Sequence, residues 1–389
     1  MICNKKSEIM KRRFVQVLGI VGVIVVCYQV FLSKKMWTQS KHSVDRNLPN
    51  TASVVQMDKQ SDNDPTYAQL NHMDCEPGIP CEYGTEVDFR VIVMVYDRAE
   101  SLSKVLKSLQ SLEMDGDRGM VEIWIDRSKG KNEVDVDTVE VAKKFKWKHG
   151  PSRFTIHKKH VGIYGQWIDT WRPKPDSKEI ALFLEDDVDV SPYTYRWLKA
   201  AFKQYGAEKN IASIAIFEGA IYKMNEKLMP SDEVAFLHQR MGSQGMAPFP
   251  NHWRGFQDWY HKASKDASFH PYVKNDPGPT SWYKGQEKKN QADHMWSLWY
   301  IYYNDINMLW TMYANLGKVM HQRNSHLKDD QYLAFHRKEK GLHFKGHGIS
   351  SNTRLITTWY DYLTVLPAFS SMKKFSYHGK LLSADTWKS

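Results

Sequence analysis

The chain is 389 residues long, 42% hydrophobic and 25% charged, which is enough apolar material for one large domain or two ordinary ones and excludes a disordered polymer. Its net charge of +10 suits anionic partners as a class, including nucleic acid, acidic membranes and phosphorylated substrates, without picking out a face. Aromatic residues reach 13%, with 14 Trp and 20 Tyr, a supply of flat surfaces for core packing and for stacking on sugars or bases.

Residues 1–13 read as a basic cytoplasmic tail, with Lys5, Lys6, Lys11, Arg12 and Arg13. Phe14 to Leu32 carries no charge and is long enough to span a bilayer. Basic residues flank it on both sides, more of them before than after, which favours a cytoplasmic N-terminus. A cleaved signal peptide is the rival reading, but Ser33-Lys-Lys-Met-Trp37 offers no small-residue cleavage pattern. The segment therefore reads as a signal anchor with the bulk of the chain in a lumen. Residues 33–87 are polar and aperiodic, a flexible stem. Within the stem, Cys75 and Cys81 close a turn-rich loop as a local disulfide or stand as two free thiols.

From residue 88 the composition changes, and 88–389 reads as the folded domain. Arg90 to Tyr96 is a buried strand with Asp97-Arg98 as its polar exit. Leu102, Val105, Leu106, Leu109 and Leu112 share a helical face. A strand over Met120 to Ile125 ends at Asp126-Arg127, a helix follows through Val134, Val139, Ala142 and Phe145, and Phe154 to His157 is a short strand. Gly162 and Gly165 then let backbone approach a ligand closely ahead of a short helix. Alternation of this kind predicts an α/β fold with a mostly parallel sheet flanked by helices. Beyond a helix from Pro192 to Tyr205 and a strand over Ile211 to Phe217, alternation weakens. Lys262 to Gly285 reads as loop, Met295 to Tyr303 as helix, Leu309 to Tyr313 as strand, and His326 to His347 as a basic segment with several His.

The stretch Ile180-Ala-Leu-Phe-Leu-Glu-Asp-Asp-Val-Asp-Val-Ser-Pro192 sets five apolar residues before four carboxylates, Glu185, Asp186, Asp187 and Asp189. Such a cluster needs a cation or several donors to offset its repulsion, and oxygen-rich sites suit Mg2+ or Mn2+. The plainer alternative is a solvated acidic turn capping the next helix. Position favours the first, because the carboxylates follow a strand, at the edge where open α/β sheets bind ligands. Neither a dinucleotide Gly-X-Gly-X-X-Gly nor a Walker phosphate loop follows any strand, which leaves phosphate charge to a metal.

The strands ending in Asp97-Arg98 and Asp126, together with Glu185-Asp-Asp-Val-Asp-Val-Ser-Pro192, resemble the nucleotide-sugar half of GT-A glycosyltransferases, most closely the N-acetylglucosaminyltransferase I group. The span from about Phe89 to about Gly346 is also similar to family-2-like glycosyltransferases, through His160-Val-Gly-Ile-Tyr-Gly-Gln-Trp-Ile-Asp-Thr-Trp-Arg-Pro173 and Lys340-Gly-Leu-His-Phe344. The resemblance implies that Asp187 contacts Mn2+ (or Mg2+), with Asp187 and Asp189 as an alternative ligand pair. Glu185 and Asp186 would orient the ribose and metal waters, Asp126 would receive the base, and Asp97, Arg98 and Gly165 would line the donor. It further implies a His completing the metal site, His343 with His347 and His336 as rivals, and a base at Asp258 in Phe256-Gln-Asp-Trp259. The plainer alternative for Asp258 is a carboxylate at the N-terminus of a helix.

The implied activity is metal-dependent transfer of a hexosyl or N-acetylhexosaminyl group from a nucleotide sugar, a UDP-sugar first, to a glycan or glycoprotein acceptor. The anchor and stem match a single-pass type II protein of the Golgi membrane with a luminal catalytic domain. A membrane-tethered, non-catalytic glycan- or nucleotide-binding protein is the alternative, and four carboxylates in five positions argue against it. The anchor and the lack of a reader motif argue against a nucleic-acid partner.

Overall fold

The computed structural model describes residues 86–217, 232–274, 277–327, 331–337 and 354–383. All of them fall in one of two compact units, that of residues 52–337 and 349–389. The other unit, residues 1–51 with 338–348, lies outside the described residues, as do the expected anchor, nearly all of the stem, Cys75, Cys81 and His343. Among the described residues no helix is long and apolar enough to cross a membrane.

The first half follows the expected alternation: β1 (Phe89–Val95), α1 (Ala99–Leu109), β2 (Gly119–Ile125), α2 (Val136–Lys144), β3 (Ser152–Ile156), α3 (Gly162–Ile168) and β4 (Ile180–Glu185). Every residue of β1 and β2 is buried, because helices cover both faces of the sheet here. Val91, Val93 and Val95 pack with Leu102, Val105 and Leu109 of α1. Ile92, Met94 and Phe183 point the other way, into an aromatic core with Trp167, Trp253, Trp296 and Tyr300. The strands are parallel and in step: Val95 lies beside Ile125, and Met94 beside Glu185. Residues just past these positions therefore leave the sheet at one edge.

At the opposite edge Arg90, wholly buried, donates to Glu179 Oε1 at 2.6 Å and Oε2 at 2.9 Å and also pairs with Glu122. Glu122 in turn accepts from Arg153 at 2.9 Å. Two carboxylates and two guanidiniums share this buried ground, so losing one partner would cost about 3–5 kcal/mol.

The second half comprises β5 (Val188–Val190), α4 (Thr194–Tyr205), β6 (Ile211–Ala215), β7 (Ala235–His238), β8 (Met246–Pro248), α5 (Pro250–Ala263), α6 (Pro277–Glu287), α7 (Ser297–Ile306), β9 (Trp310–Ala314), α8 (Leu316–Arg323), β10 (Gln331–Tyr332), β11 (Ala334–His336), β12 (Arg354–Leu355), β13 (Lys374–Phe375) and β14 (Leu381–Leu382). The main sheet has ten strands in the order β14-β13-β7-β9-β6-β8-β4-β1-β2-β3.

It is mixed, with five of its nine strand pairings parallel and four antiparallel. β8 runs antiparallel to both β4 and β6, β7 is antiparallel to β9, and β13 to β14. No helix separates β7 from β8, and a strand that enters without a crossover helix is free to run antiparallel. The span expected as loop, Lys262 to Gly285, contains most of α6. Pro277 and Pro279 sit in its first turn, where backbone N–H groups have no intrahelical acceptor, so proline opens this helix instead of breaking it.

Candidate active site

Chain geometry divides the acidic run. Glu185 is the last residue of β4, Asp186 and Asp187 form a turn, and Asp189 is the middle residue of β5. Glu185 Oε1 accepts from Trp167 Nε1 at 3.2 Å, and Trp167 is held by stacking on Trp296 at 4.4 Å. Arg98, the residue before α1, places its guanidinium across the turn: Nη1 donates to Asp187 Oδ2 at 3.0 Å and Nη2 pairs with Asp186 Oδ1. Asp187 Oδ2 also faces His336 Nε2 at 3.4 Å. Asp186 Oδ2 and Asp187 Oδ1 are buried without a hydrogen-bond partner.

His336 arrives by backbone pairing. β11 runs antiparallel to β5, with His336 beside Val188 and Phe335 beside Asp189, and Arg337 N donates to Asp187 O at 2.8 Å. Arg337 then locks the junction: its guanidinium pairs with Asp189 and donates to Asp186 O at 2.5 Å and to Ser101 O and Oγ at 2.8 Å each. Ser101 Oγ itself donates to Asp186 O at 2.8 Å. Asp189 is thus tied to Arg337, while Asp187 faces Arg98 and His336.

The electrostatics differ from one carboxylate to the next. Burial pushes Asp186 up to about 8, with the Asp187 charge adding to the shift against the pull of Arg98. Burial and the Asp187 charge also raise Glu185. Burial alone would raise Asp187 as well, but His336 and Arg98 outweigh it and hold the carboxyl below its usual range. Of Glu185, Asp186 and Asp187, Asp187 is therefore the carboxylate whose ionised form its surroundings favour.

Among the described residues no group of three or more His, Cys, Asp or Glu is arranged to hold a metal ion. A hard cation of the Mg2+ type takes only one or two protein carboxylates and fills the rest of its shell with water and phosphate oxygens. Asp187, with an ionised carboxylate and a free buried oxygen, fits that share, and His336 stands beside it.

Asp126 lies at the same edge, but its carboxylate serves the backbone. Oδ1 accepts from Val161 N and Oδ2 from Gly162 N, both at 2.9 Å, and His160 Nδ1 is 3.1 Å from Oδ2. Gly162 adopts φ +64°, a left-handed conformation that glycine takes without strain, as the chain turns into α3. Gln166 then bridges α3 to the strand ends, donating to Val95 O at 3.0 Å and Trp124 O at 3.3 Å, while its Oε1 faces His157 Nε2 at 3.3 Å. Gly165 answers to packing inside this segment, since a Cβ there would sit 2.6 Å from Val161 Cβ. Asp97 is exposed beside Arg98 at the sheet edge.

Asp258 is not brought into the cluster. It lies on α5 with 62% of its side chain exposed and pairs with Arg172 at 2.7 Å. The α5 residue that reaches β4 is Trp253, against Phe183. His343 lies outside the described residues, whereas its rival His336 is at the acidic turn.

Sequence reasoning overlooked Arg337, Ser101, Trp167 and Gln166. Tyr332, Leu333, Ala334 and His336 are all buried, so the segment around β11 carries no clean alternation that could have drawn attention to it.

The family described as the SPBC1E8.03c C-terminal domain matches residues 98–268, less than half of the chain; that stretch holds Arg98, Asp126, the acidic turn and Asp258 and stops short of His336. No curated protein matches the chain. Among solved structures it is similar to S. aureus TarS 1-349, at 13% identity and a TM-score of 0.29, covering 42% of this chain and 47% of that one. The mannosyltransferase PcManGT from Pyrobaculum calidifontis, in complex with GDP-Man and Mn2+, is 12% identical with a TM-score of 0.31, covering 48% of each chain. The galactosyltransferase LgtC, in complex with donor and acceptor sugar analogs, is 14% identical with a TM-score of 0.26, covering 46% of this chain and 66% of that one. The matched part thus spans about half the length of the first two structures, and likenesses this slight decide neither fold nor chemistry.

Proposed function

We propose that this protein is a metal-dependent glycosyltransferase of the GT-A type, which moves a hexosyl or N-acetylhexosaminyl group from a UDP-sugar to a glycan or glycoprotein acceptor. The observation that carries the reading is the pairing of an ionised, partly unpartnered Asp187 with His336 and Arg98 at the edge where β1, β2 and β4 end. Asp187 and His336 would hold Mn2+ or Mg2+, which when bound neutralises the diphosphate as the glycosidic bond breaks. Arg98 presents a forked donor to the same diphosphate. Trp167 and Arg337 hold Glu185 and the acidic turn in place, so the charges are set before the donor arrives.

Hydrolysis of UDP-sugars by the purified full-length protein, with Mn2+ and with chelator, tests the reading. Metal-dependent release of UDP that is lost in Asp187→Asn is the expected result, and release indifferent to both would remove it. A second reading, a donor-binding protein without turnover, is favoured by the two carboxylates that Arg98 already neutralises; UDP binding with no hydrolysis or transfer would select it.

The uncharged span Phe14 to Leu32 supports a single-pass type II arrangement in the Golgi membrane, with residues 88–389 luminal. Protease added to sealed vesicles should spare that domain until detergent is present. Its digestion without detergent would exclude the arrangement.

A further inference from the structure

We propose that Arg98 is an exchangeable counter-ion: its guanidinium pairs with Asp186 and Asp187 while no donor is bound, and releases them to clasp the donor diphosphate when a divalent cation is held at Asp187. The inference rests on the metal-dependent reading above and extends it to how the acidic turn is kept in the folded state between turnovers.

The two carboxylates are 1% and 3% exposed, and each keeps one buried oxygen without a partner. Two buried carboxyl groups side by side need a donor or cation close by, and Arg98 supplies it by forking across both. The other arginine at the turn is fixed: Arg337 is 11% exposed and bonds Asp189, Asp186 O and both oxygens of Ser101. Arg98 differs on each count. Its side chain is 35% exposed, and among the described residues its side-chain hydrogen bonds run only to Asp186 and Asp187. Being the residue just before α1, it swings from a fixed helix start. A guanidinium and a divalent cation beside the same oxygens repel each other, whereas a diphosphate gives the fork an equivalent pair of acceptors. One side chain thus competes with the metal when the site lacks a donor and cooperates with it once the diphosphate is present.

The test titrates Mn2+ alone, by calorimetry, into nucleotide-free full-length protein in detergent, and then UDP at saturating Mn2+, for the unmodified chain, Arg98→Gln, Arg98→Lys and Asp187→Asn. Arg98→Gln should bind Mn2+ alone roughly tenfold tighter or better, because the competing charge is gone. It should bind UDP in the presence of Mn2+ roughly tenfold more weakly or worse, because the fork is gone. The opposite signs separate this role from a structural one, which would weaken both. Arg98→Lys keeps the charge but not the fork and should fall between. If Arg98→Gln does not fold, the Lys variant decides, by a larger Mn2+-dependent rise in Tm than the unmodified protein shows.

Mn2+ affinity equal to or below that of the unmodified protein in both Arg98 variants, with binding abolished in Asp187→Asn, would overturn the exchange and leave the metal-dependent reading standing. No Mn2+ binding by any form, with or without UDP, would overturn both.

Discussion

His336 Nε2 stands 3.4 Å from Asp187 Oδ2, and the contact is made by pairing β11 against β5, two strands far apart in the chain. Because Arg337 N also donates to Asp187 O, the spacing of His336 from the acidic turn is set by main-chain hydrogen bonds rather than by side-chain freedom. Placement by backbone gives a reacting site the precision that loop-borne side chains lack.

Asp187→Asn should leave the fold intact and remove function. Arg98 keeps Asp186 as a partner, so the stability change should be about 1 kcal/mol, the worth of one net hydrogen bond. Transfer should fall on the order of a hundredfold or more, as for loss of a group that fixes transition-state charge. Urea midpoints beside initial rates measure both; full activity in a folded variant would show that Asp187 is only structural.

Asp126→Ala should act on stability. The two backbone N–H groups of Val161 and Gly162 lose their acceptor at the turn into α3, at a cost of roughly 2 kcal/mol. Thermal melting would register it. A variant as stable as the parent that has lost UDP affinity would instead make Asp126 a reader of the base.

Asp258→Asn should change transfer by no more than about threefold, since an exposed ion pair is worth well under 1 kcal/mol. A fall of about a thousandfold in kcat, in a variant that melts normally, would make Asp258 the general base after all.

Acid should weaken the fold through His238. This ring is fully buried in β7, and burial, with the Arg240 charge behind it, lowers its pKa to about 3. Its Nδ1 accepts from Arg240 N at 2.9 Å. The unfolded chain takes up a proton there below about pH 6.5 while the folded chain does not until about 3. The stabilisation is thus complete above the unfolded value and is lost as pH falls through that window, by up to about 1.4 kcal/mol per pH unit. His238→Asn preserves an acceptor and cannot titrate, so its urea midpoint should drop less than the parent's between pH 7 and 5. Equal drops would refute the assignment.

Much of the first half was legible because β1, β2 and β4 are apolar runs ending in charge, and that pattern alone gives strand, edge and direction. Three-residue strands such as β5 and β11 carry too little period to be read, and their pairing depends on a chain path no local window contains. α6 was hidden by prolines that look like breakers until they are placed in a first turn. Asp126 looked like a ligand-binding carboxylate because the N–H groups that occupy it belong to Val161 and Gly162, whose names say nothing of donors. Among several histidines in one basic segment, only the partner strand singles out His336.

A protein synthesised from its amino end meets the late arrival of β11 as a problem of timing. Arg98 and the acidic turn leave the ribosome long before residues 331–337 exist, so for that interval His336 and Arg337 can offset nothing. Arg98 is the cation of this set already made when Asp186 and Asp187 emerge, and it pairs with both in the finished fold. A nascent chain lacking it would have to collapse around an unpaired acidic turn or wait for its last sixth, and yield during expression should depend on Arg98 more than the finished fold does.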